Sequence, residues 1–323
     1  MLFFSSNNIN NIATKLEDLD SPHKPGSEYS LLVLPSFHAF GLAVAMHFPI
    51  THGYTSIPMI QFDAEAANKH MRKHNVTFVL GVPNMFKKML EEKHFDGPHL
   101  KNLRLVFCGG DVLPERLVRD FNKTVAKNGG KGKLFRGYGL TEVSSVCTVN
   151  RFDASREESI GKPLRDITVE IWDEMKNSLP AGQTGEIVIK GDTTMIGYYN
   201  GDNTVKNDGV YINSKGERWI LTGDLGHLDS DGFLYFTGRK KRMIVISGYN
   251  VYPVDIENAV IQLPFISEAC AVQGYQKNKP CVKLCIVLKN PEENHDEIKE
   301  KVLDFCKENL DHFSVPRKIE ILD

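Results

Sequence analysis

The first 150 residues alternate short apolar runs with longer stretches in which apolar residues recur at helical spacing. Leu31 to Pro35 reads as a buried strand. Ala64 to His74 mixes charged and apolar residues at the helical period. Phe78 to Val82 and Leu103 to Phe107 are further strand-like runs. Asn84 to Lys93 and Pro114 to Asn128 are further amphipathic helices, the latter with its proline near the first turn. Such alternation predicts α/β units around a partly parallel sheet. After Asn150 the pattern changes. Ile167 to Asp173, Gly185 to Lys190 and Phe233 to Thr237 are short β-rich runs, punctuated by Ala181-Gly182, Gly201-Asp202, Asp208-Gly209 and Asp231-Gly232. A small antiparallel β subdomain fits this texture. From Gly238 onward a helix (Pro253 to Gln262), strands near Ala269 to Val272 and Val282 to Leu288, and a helix (His295 to Leu310) predict a small α+β domain.

At 323 residues the chain exceeds one typical core, so two domains are expected. The predicted division is 1–238, with its β subdomain at about 151–238, followed by 239–323. Net charge is −2, from 39 basic and 41 acidic residues, which gives no electrostatic reason to expect nucleic acid or a membrane surface as partner. The six cysteines, Cys108, Cys147, Cys270, Cys281, Cys285 and Cys306, include no C-x-x-C pair and no histidine cluster at zinc spacing. Reduced, buried thiols are the expected state. The start, Met-Leu-Phe-Phe-Ser-Ser-Asn-Asn, lacks the basic region and apolar core of a signal peptide, and no apolar run is long enough to span a bilayer. A cytoplasmic protein is the default expectation.

The richest chemistry lies in Arg136-Gly137-Tyr138-Gly139-Leu140-Thr141-Glu142, preceded by an apolar run ending in Cys108-Gly109-Gly110-Asp111. Glycines let backbone N–H groups approach phosphate. A threonine hydroxyl donates to a phosphate oxygen, a glutamate suits a hard cation such as Mg²⁺, and a tyrosine ring covers a base. Together they point to a nucleotide.

Six motifs in order resemble the adenylate-forming superfamily of acyl-CoA synthetases, aryl-CoA ligases and luciferases. They are Leu34-Pro35-Ser36-Phe37-His38-Ala39-Phe40-Gly41, Cys108–Asp111, Arg136–Glu142, and Ile196-Gly197-Tyr198-Tyr199-Asn200. Trp219-Ile220-Leu221-Thr222-Gly223-Asp224 follows with Asp229-Ser230-Asp231-Gly232. The last is Gly238-Arg239-Lys240-Lys241 with Ser247-Gly248-Tyr249-Asn250-Val251-Tyr252-Pro253. The resemblance implies a partial large adenylation domain followed by a small mobile C-terminal domain. It implies an AMP-forming acid–thiol ligase that uses ATP and Mg²⁺, with CoA as co-substrate. Thr141 would meet the α-phosphate and Glu142 the Mg²⁺. Gly109, Gly110 and Asp111 would line the adenine pocket, within a site that also takes in Gly139, and Tyr138 would stack on the ring. Asp224 would accept from the ribose hydroxyls, reinforced by Arg239. His38 would close over the acyl pocket, Lys241 would be the hinge of the small domain, and Gly248 would lie near the CoA channel.

Each assignment has a plainer rival. Asp224 after Thr-Gly suits a turn cap, Glu142 a solvated carboxylate, and Tyr138 ordinary packing. His38 beside two phenylalanines suits a core histidine, and Arg239 to Arg242 suits a solvated charge run.

The resemblance also places a glycine-rich phosphate loop ahead of Met1-Leu2-Phe3-Phe4 and a catalytic lysine beyond Phe313 to Ile319. The expectation is therefore a fragment with impaired adenylation, completed by an N-terminal fragment or paired as a homodimer. His38 stands where amino-acid-activating relatives carry an aspartate, which disfavours a cationic substrate. The apolar run Ala39 to Val44 favours a fatty acid, with an aryl acid as the alternative. A nucleotide-binding fragment without catalysis and an inert partial product are the competing readings.

Overall fold

The computed structural model describes residues 2–19, 26–200, 204–276, 279–291 and 294–322. The Gly201-Asp202 turn predicted above lies outside the described residues. Two compact units are present: Met1–Thr222 with His227–Tyr235, and Gly223–Gly226 with Phe236–Asp323.

The first unit is built on a seven-stranded sheet in the order Thr55–Pro58, Tyr29–Leu32, Phe78–Gly81, Leu105–Cys108, Lys133–Leu140, Ser145–Val149, Lys162–Pro163. The first five strands run parallel to one another, and the last two pairings are antiparallel. The central strands are apolar throughout because both faces are covered. One face carries Leu31, Val79, Val106 and Leu134. It packs on Ala67 and Met71, Phe86 and Met89, and Phe121 and Val125, which come from the helices Ala64–His74, Pro83–Glu91 and Glu115–Lys127. On the other face a chain of aromatic contacts runs from Phe48 through Phe78 (5.7 Å), Phe107 (6.4 Å) and Phe135 (5.9 Å) to Phe152 (4.8 Å).

The predicted helices appear where their capping chemistry places them. Asp63 accepts from the Ala66 N–H at 2.7 Å and starts Ala64–His74, which ends at Asn75 in the left-handed region. Pro83 occupies the first turn of its helix, and Pro114 immediately precedes Glu115–Lys127. The predicted Leu31 to Pro35 strand begins and ends earlier, at Tyr29–Leu32. Leu34 remains buried in the turn that follows, so the apolar run outlasts the strand.

A five-stranded sheet follows the order Val210–Ile212, Arg218–Leu228, Gly185–Lys190, Thr168–Trp172, with Leu234–Arg239 alongside Arg218–Leu228. It realises the predicted β subdomain, and Trp172, Val188 and Trp219 form its core. A small sheet joins Leu2–Phe3, Gly197–Tyr199 and Val205–Lys206.

In the second unit a hairpin of Ile244–Ile246 and Tyr249–Val251 precedes the helix Pro253–Val260. Ile266–Gln276 pairs antiparallel with Lys279–Leu288, which pairs parallel with Lys318–Leu322; the helix His295–Asn309 completes the unit. Val260, Val282, Leu284, Ile286, Val302 and Cys306 are its fully buried centre. The expectation of uniformly buried thiols is corrected here. Cys270 is exposed and Cys285 half-buried, because both sit on the outward face of this sheet, opposite each other in register. Among the described residues no helix is long and apolar enough to cross a membrane.

Candidate nucleotide site

In a parallel sheet, every strand's carboxyl end opens on the same edge, the usual place for a ligand in α/β folds. In the first unit this edge receives the loop after Tyr29–Leu32, the turn Gly109-Gly110-Asp111 after Leu105–Cys108, and the distal half of Lys133–Leu140. These three segments carry the first three motifs singled out in the sequence.

Gly109 sits beside the Phe40 ring, 3.5 Å from where its β-carbon would lie, and 3.7 Å on the same measure from the Gly137 carbonyl. Gly110 has φ +83° and faces Val82. The exposed Asp111 accepts the Val112 N–H at 2.8 Å. Arg136 ties this turn to the neighbouring strand. One of its guanidinium nitrogens lies 2.6 Å from Glu115 Oε1, and another donates to the Leu113 carbonyl at 3.0 Å. The cation of the Arg136–Glu142 stretch is thus engaged in holding the Gly109–Leu113 loop in place. Burial pushes the Cys108 thiol well above its ordinary range, so it remains a neutral packing group.

Lys133–Leu140 turns through a short helical turn, Thr141–Val143, into Ser145–Val149. A β-carbon on Gly139 would lie 1.6 Å from the Ser145 carbonyl oxygen, so this glycine answers to the closeness of its own hairpin. Ser144 (φ 61°) and Ser145 (φ 112°) are both in the left-handed half of backbone space, a strained arrangement that concentrates at functional turns. The tight turn presents Thr141 and Glu142, both half-buried, at its tip. Tyr138 is half-buried on the strand, and its carbonyl accepts from the Cys147 thiol at 3.4 Å.

Glu142 is fixed by a segment to which the sequence reading gave no role. Tyr198 donates its phenol O–H to Glu142 Oε1 at 2.6 Å, and the Met195 N–H donates to the Glu142 carbonyl at 2.7 Å. Burial, then the Glu142 carboxylate, push the Tyr198 phenol well above its ordinary range, so it stays a donor. The only sequence signal was the motif Gly197-Tyr198-Tyr199 itself.

His38 is exposed, beside a 94% exposed Phe37, and its Nδ1 accepts the Phe40 N–H at 3.2 Å. This corrects the alternative of a core histidine: the two phenylalanines flanking it do not enclose it. The following apolar run forms a π-helical segment, Phe40–His47, in which Ala43, Val44 and Ala45 are buried. Gly41 is indispensable there, since a β-carbon would lie 1.9 Å from the Pro35 carbonyl oxygen.

The second unit holds the remaining predicted residues. Asp224 is 2% exposed, and its Oδ1 lies 3.1 Å from Nε of Arg239, whose side chain is 64% exposed. The two residues assigned to the ribose are therefore brought together. Lys241 is exposed in the turn Lys240–Arg242, and the adjacent Arg242 is paired with Glu257 at 2.6 Å. Gly248 is exposed at φ +86° behind Ser247 at φ 51°. Two positive φ angles are what a tight two-residue hairpin turn requires, so Gly248 has a local reason to be glycine.

A mixed sheet covered on both faces, with a loop-built rim at the carboxyl edge of its parallel strands, defines an α/β protein of the nucleotide-binding kind. The AMP-binding enzyme model matches residues 3–199, and the model of the AMP-binding enzyme C-terminal domain matches 255–323. The chain belongs to the AMP-binding enzyme family. It is 30% identical over 325 residues to a long-chain-fatty-acid–CoA ligase of Escherichia coli O6:H1, covering 97% of this chain and 54% of that protein. It is 31% identical over 299 residues to a 2-succinylbenzoate–CoA ligase of Bacillus thuringiensis subsp. konkukian, covering 91% and 57%. Among solved structures, the o-succinylbenzoate coenzyme A synthetase of Bacillus subtilis in complex with ATP and a magnesium ion superimposes with a TM-score of 0.83 at 26% identity, covering all of this chain and 63% of that one. The chain spans about half the length of the curated relatives it matches.

Proposed function

We propose that this chain carries the adenosine-binding part of an ATP-dependent, AMP-forming acid–CoA ligase. In that chemistry a substrate carboxylate oxygen bonds to the α-phosphorus of ATP and pyrophosphate leaves. The sulfur of CoA then bonds to the acyl carbon, and AMP leaves. The observation that carries the reading is the hairpin tip with Thr141 and Glu142, at the same sheet edge as Gly109-Gly110-Asp111. Thr141 donates to the α-phosphate. Gly109, Gly110 and Asp111, with Tyr138, bound the adenine. Asp224, backed by Arg239, accepts from the ribose. Lys241 is the hinge.

The residues present fit Mg²⁺ that arrives with the nucleotide. Among the described residues no group of three or more His, Cys, Asp or Glu is placed to hold a metal alone, whereas a single carboxylate, Glu142, suits a Mg²⁺ completed by phosphates and water. Such an ion would neutralise charge on the phosphates.

A long-chain fatty acid is the proposed substrate. The support is the apolar segment Ala39 to Val44 behind His38, together with the relative named for that acid. Non-hydrolysable dodecanoyl- and benzoyl-sulfamoyl adenosine separate the possibilities in an equilibrium binding assay. The dodecanoyl compound should bind at least about tenfold tighter than AMP, because it carries both halves of the intermediate. Tighter binding of the benzoyl compound would assign an aryl acid. If neither exceeds AMP, the ligase reading fails.

A further inference from the structure

Three hydrogen bonds tie the Glu142 turn to a segment distant in sequence. Ser144 donates its hydroxyl to the Thr193 carbonyl at 2.7 Å, the Met195 N–H donates to the Glu142 carbonyl at 2.7 Å, and Tyr198 donates to Glu142 Oε1 at 2.6 Å. The first two fix the backbone of the turn. Only the third reaches the carboxylate. We propose that Tyr198 is a positioning residue for Glu142, holding one carboxylate oxygen so that the other is presented to a divalent cation bound with the nucleotide. This role rests on the function proposed above.

The geometry favours it on three counts. Tyr198 lies mid-strand in Gly197–Tyr199, opposite Leu2 on one side and Lys206 on the other, so its backbone is paired on both sides. Gly197 lets these strands close, since a β-carbon there would lie 2.4 Å from Val205 Cγ1 and 2.7 Å from the Lys206 carbonyl oxygen. Among the described residues Glu142 Oε2 carries no hydrogen bond, while Oε1 is occupied. A carboxylate with one oxygen hydrogen-bonded to the protein and one free is the arrangement in which outer partners orient a metal ligand. Magnesium, with its demand for near-octahedral geometry, gains most from a fixed single oxygen. Without the phenol, the side chain of Glu142 rotates freely about its last torsions and must be ordered when the cation binds.

The test measures binding of Mn²⁺ as a spectroscopic stand-in, by the electron paramagnetic resonance of the free ion, in the presence of saturating ATP. Wild type is compared with Tyr198→Phe, and AMP affinity without metal is measured on both. The phenylalanine variant keeps the ring and the strand pairing. Its Mn²⁺ affinity should fall about tenfold or more, with AMP affinity unchanged within about twofold. Equal Mn²⁺ affinity in the two proteins, with wild type binding the ion, overturns the positioning role and leaves the function intact. A parallel loss of metal-free AMP affinity also overturns it, by showing that the hydrogen bond merely supports the fold. A wild type that binds neither ATP nor Mn²⁺ overturns the role together with the function on which it rests.

Discussion

Alanine at Gly139 should destabilise the first unit by about 3 kcal/mol, the upper end for overpacking, and lower its melting temperature by several degrees. The added β-carbon would lie 1.6 Å from the Ser145 carbonyl oxygen. That oxygen is backbone, in a strand held in register with Gly139 and Leu140 themselves, so the clash can be relieved only by moving the hairpin. The substitution would open the hairpin that presents Thr141 and Glu142. Gly137 is the internal control. It lies two residues away in the same motif, yet a β-carbon there meets nothing nearer than the Thr148 carbonyl oxygen at 3.5 Å, ordinary van der Waals contact. Gly137→Ala should melt within a degree or two of wild type. Thermal denaturation followed by circular dichroism compares the two; equal melting temperatures would refute this account of the hairpin.

Asp224→Ala should lower AMP affinity about 100-fold. The effect follows from removing a charged acceptor, each of whose hydrogen bonds to a ribose hydroxyl is worth about 1.5–3 kcal/mol. Asp224 is buried and Arg239 is 64% exposed. Arg239→Ala removes the cation beside a buried carboxylate and should cost about 1–2 kcal/mol of stability. AMP titration and thermal melts of both variants check the pattern. Undiminished AMP binding by Asp224→Ala would remove this residue from the site.

The helices of the first unit were legible because apolar periodicity and capping chemistry agree there. Asp63, Pro83 and Pro114 each mark a start that the structure uses. The helix Ser6–Leu16 was not legible. It is rich in asparagine, a poor helix former, and depends on a capping box between Ser5 and Asn8 and on the long-range bond from Asn8 to the Asp192 carbonyl. The π-helical Phe40–His47 was hidden for another reason: an uninterrupted apolar run has no period to read. In the second unit the strands Ile266–Gln276 and Lys279–Leu288 extend well beyond the apolar residues that announced them, because their outward face carries Glu268, Cys270 and Lys283.

The candidate site divides the same way. Gly109, Gly110, Thr141, Glu142 and Asp224 lie in contiguous motifs, so they could be named from the sequence. The partners that set them, Arg136 with Glu115 and Tyr198 with Glu142, are separated by 21 and 56 positions, and only the fold joins them. The glycines show the limit most clearly. The resemblance reads Gly139 as part of the nucleotide site and Gly248 as a neighbour of the CoA channel, whereas each also has a local cause, Gly139 in its hairpin and Gly248 in its turn.

Binding of an adenosine nucleotide is the claim on which the rest depends. Calorimetric titration of ATP into the folded chain with Mg²⁺, beside an identical titration of GTP, tests it most directly. A saturable one-to-one isotherm for ATP, with GTP at least about tenfold weaker, is the predicted result. No saturable heat with ATP, or equal affinity for the two nucleotides, would contradict it.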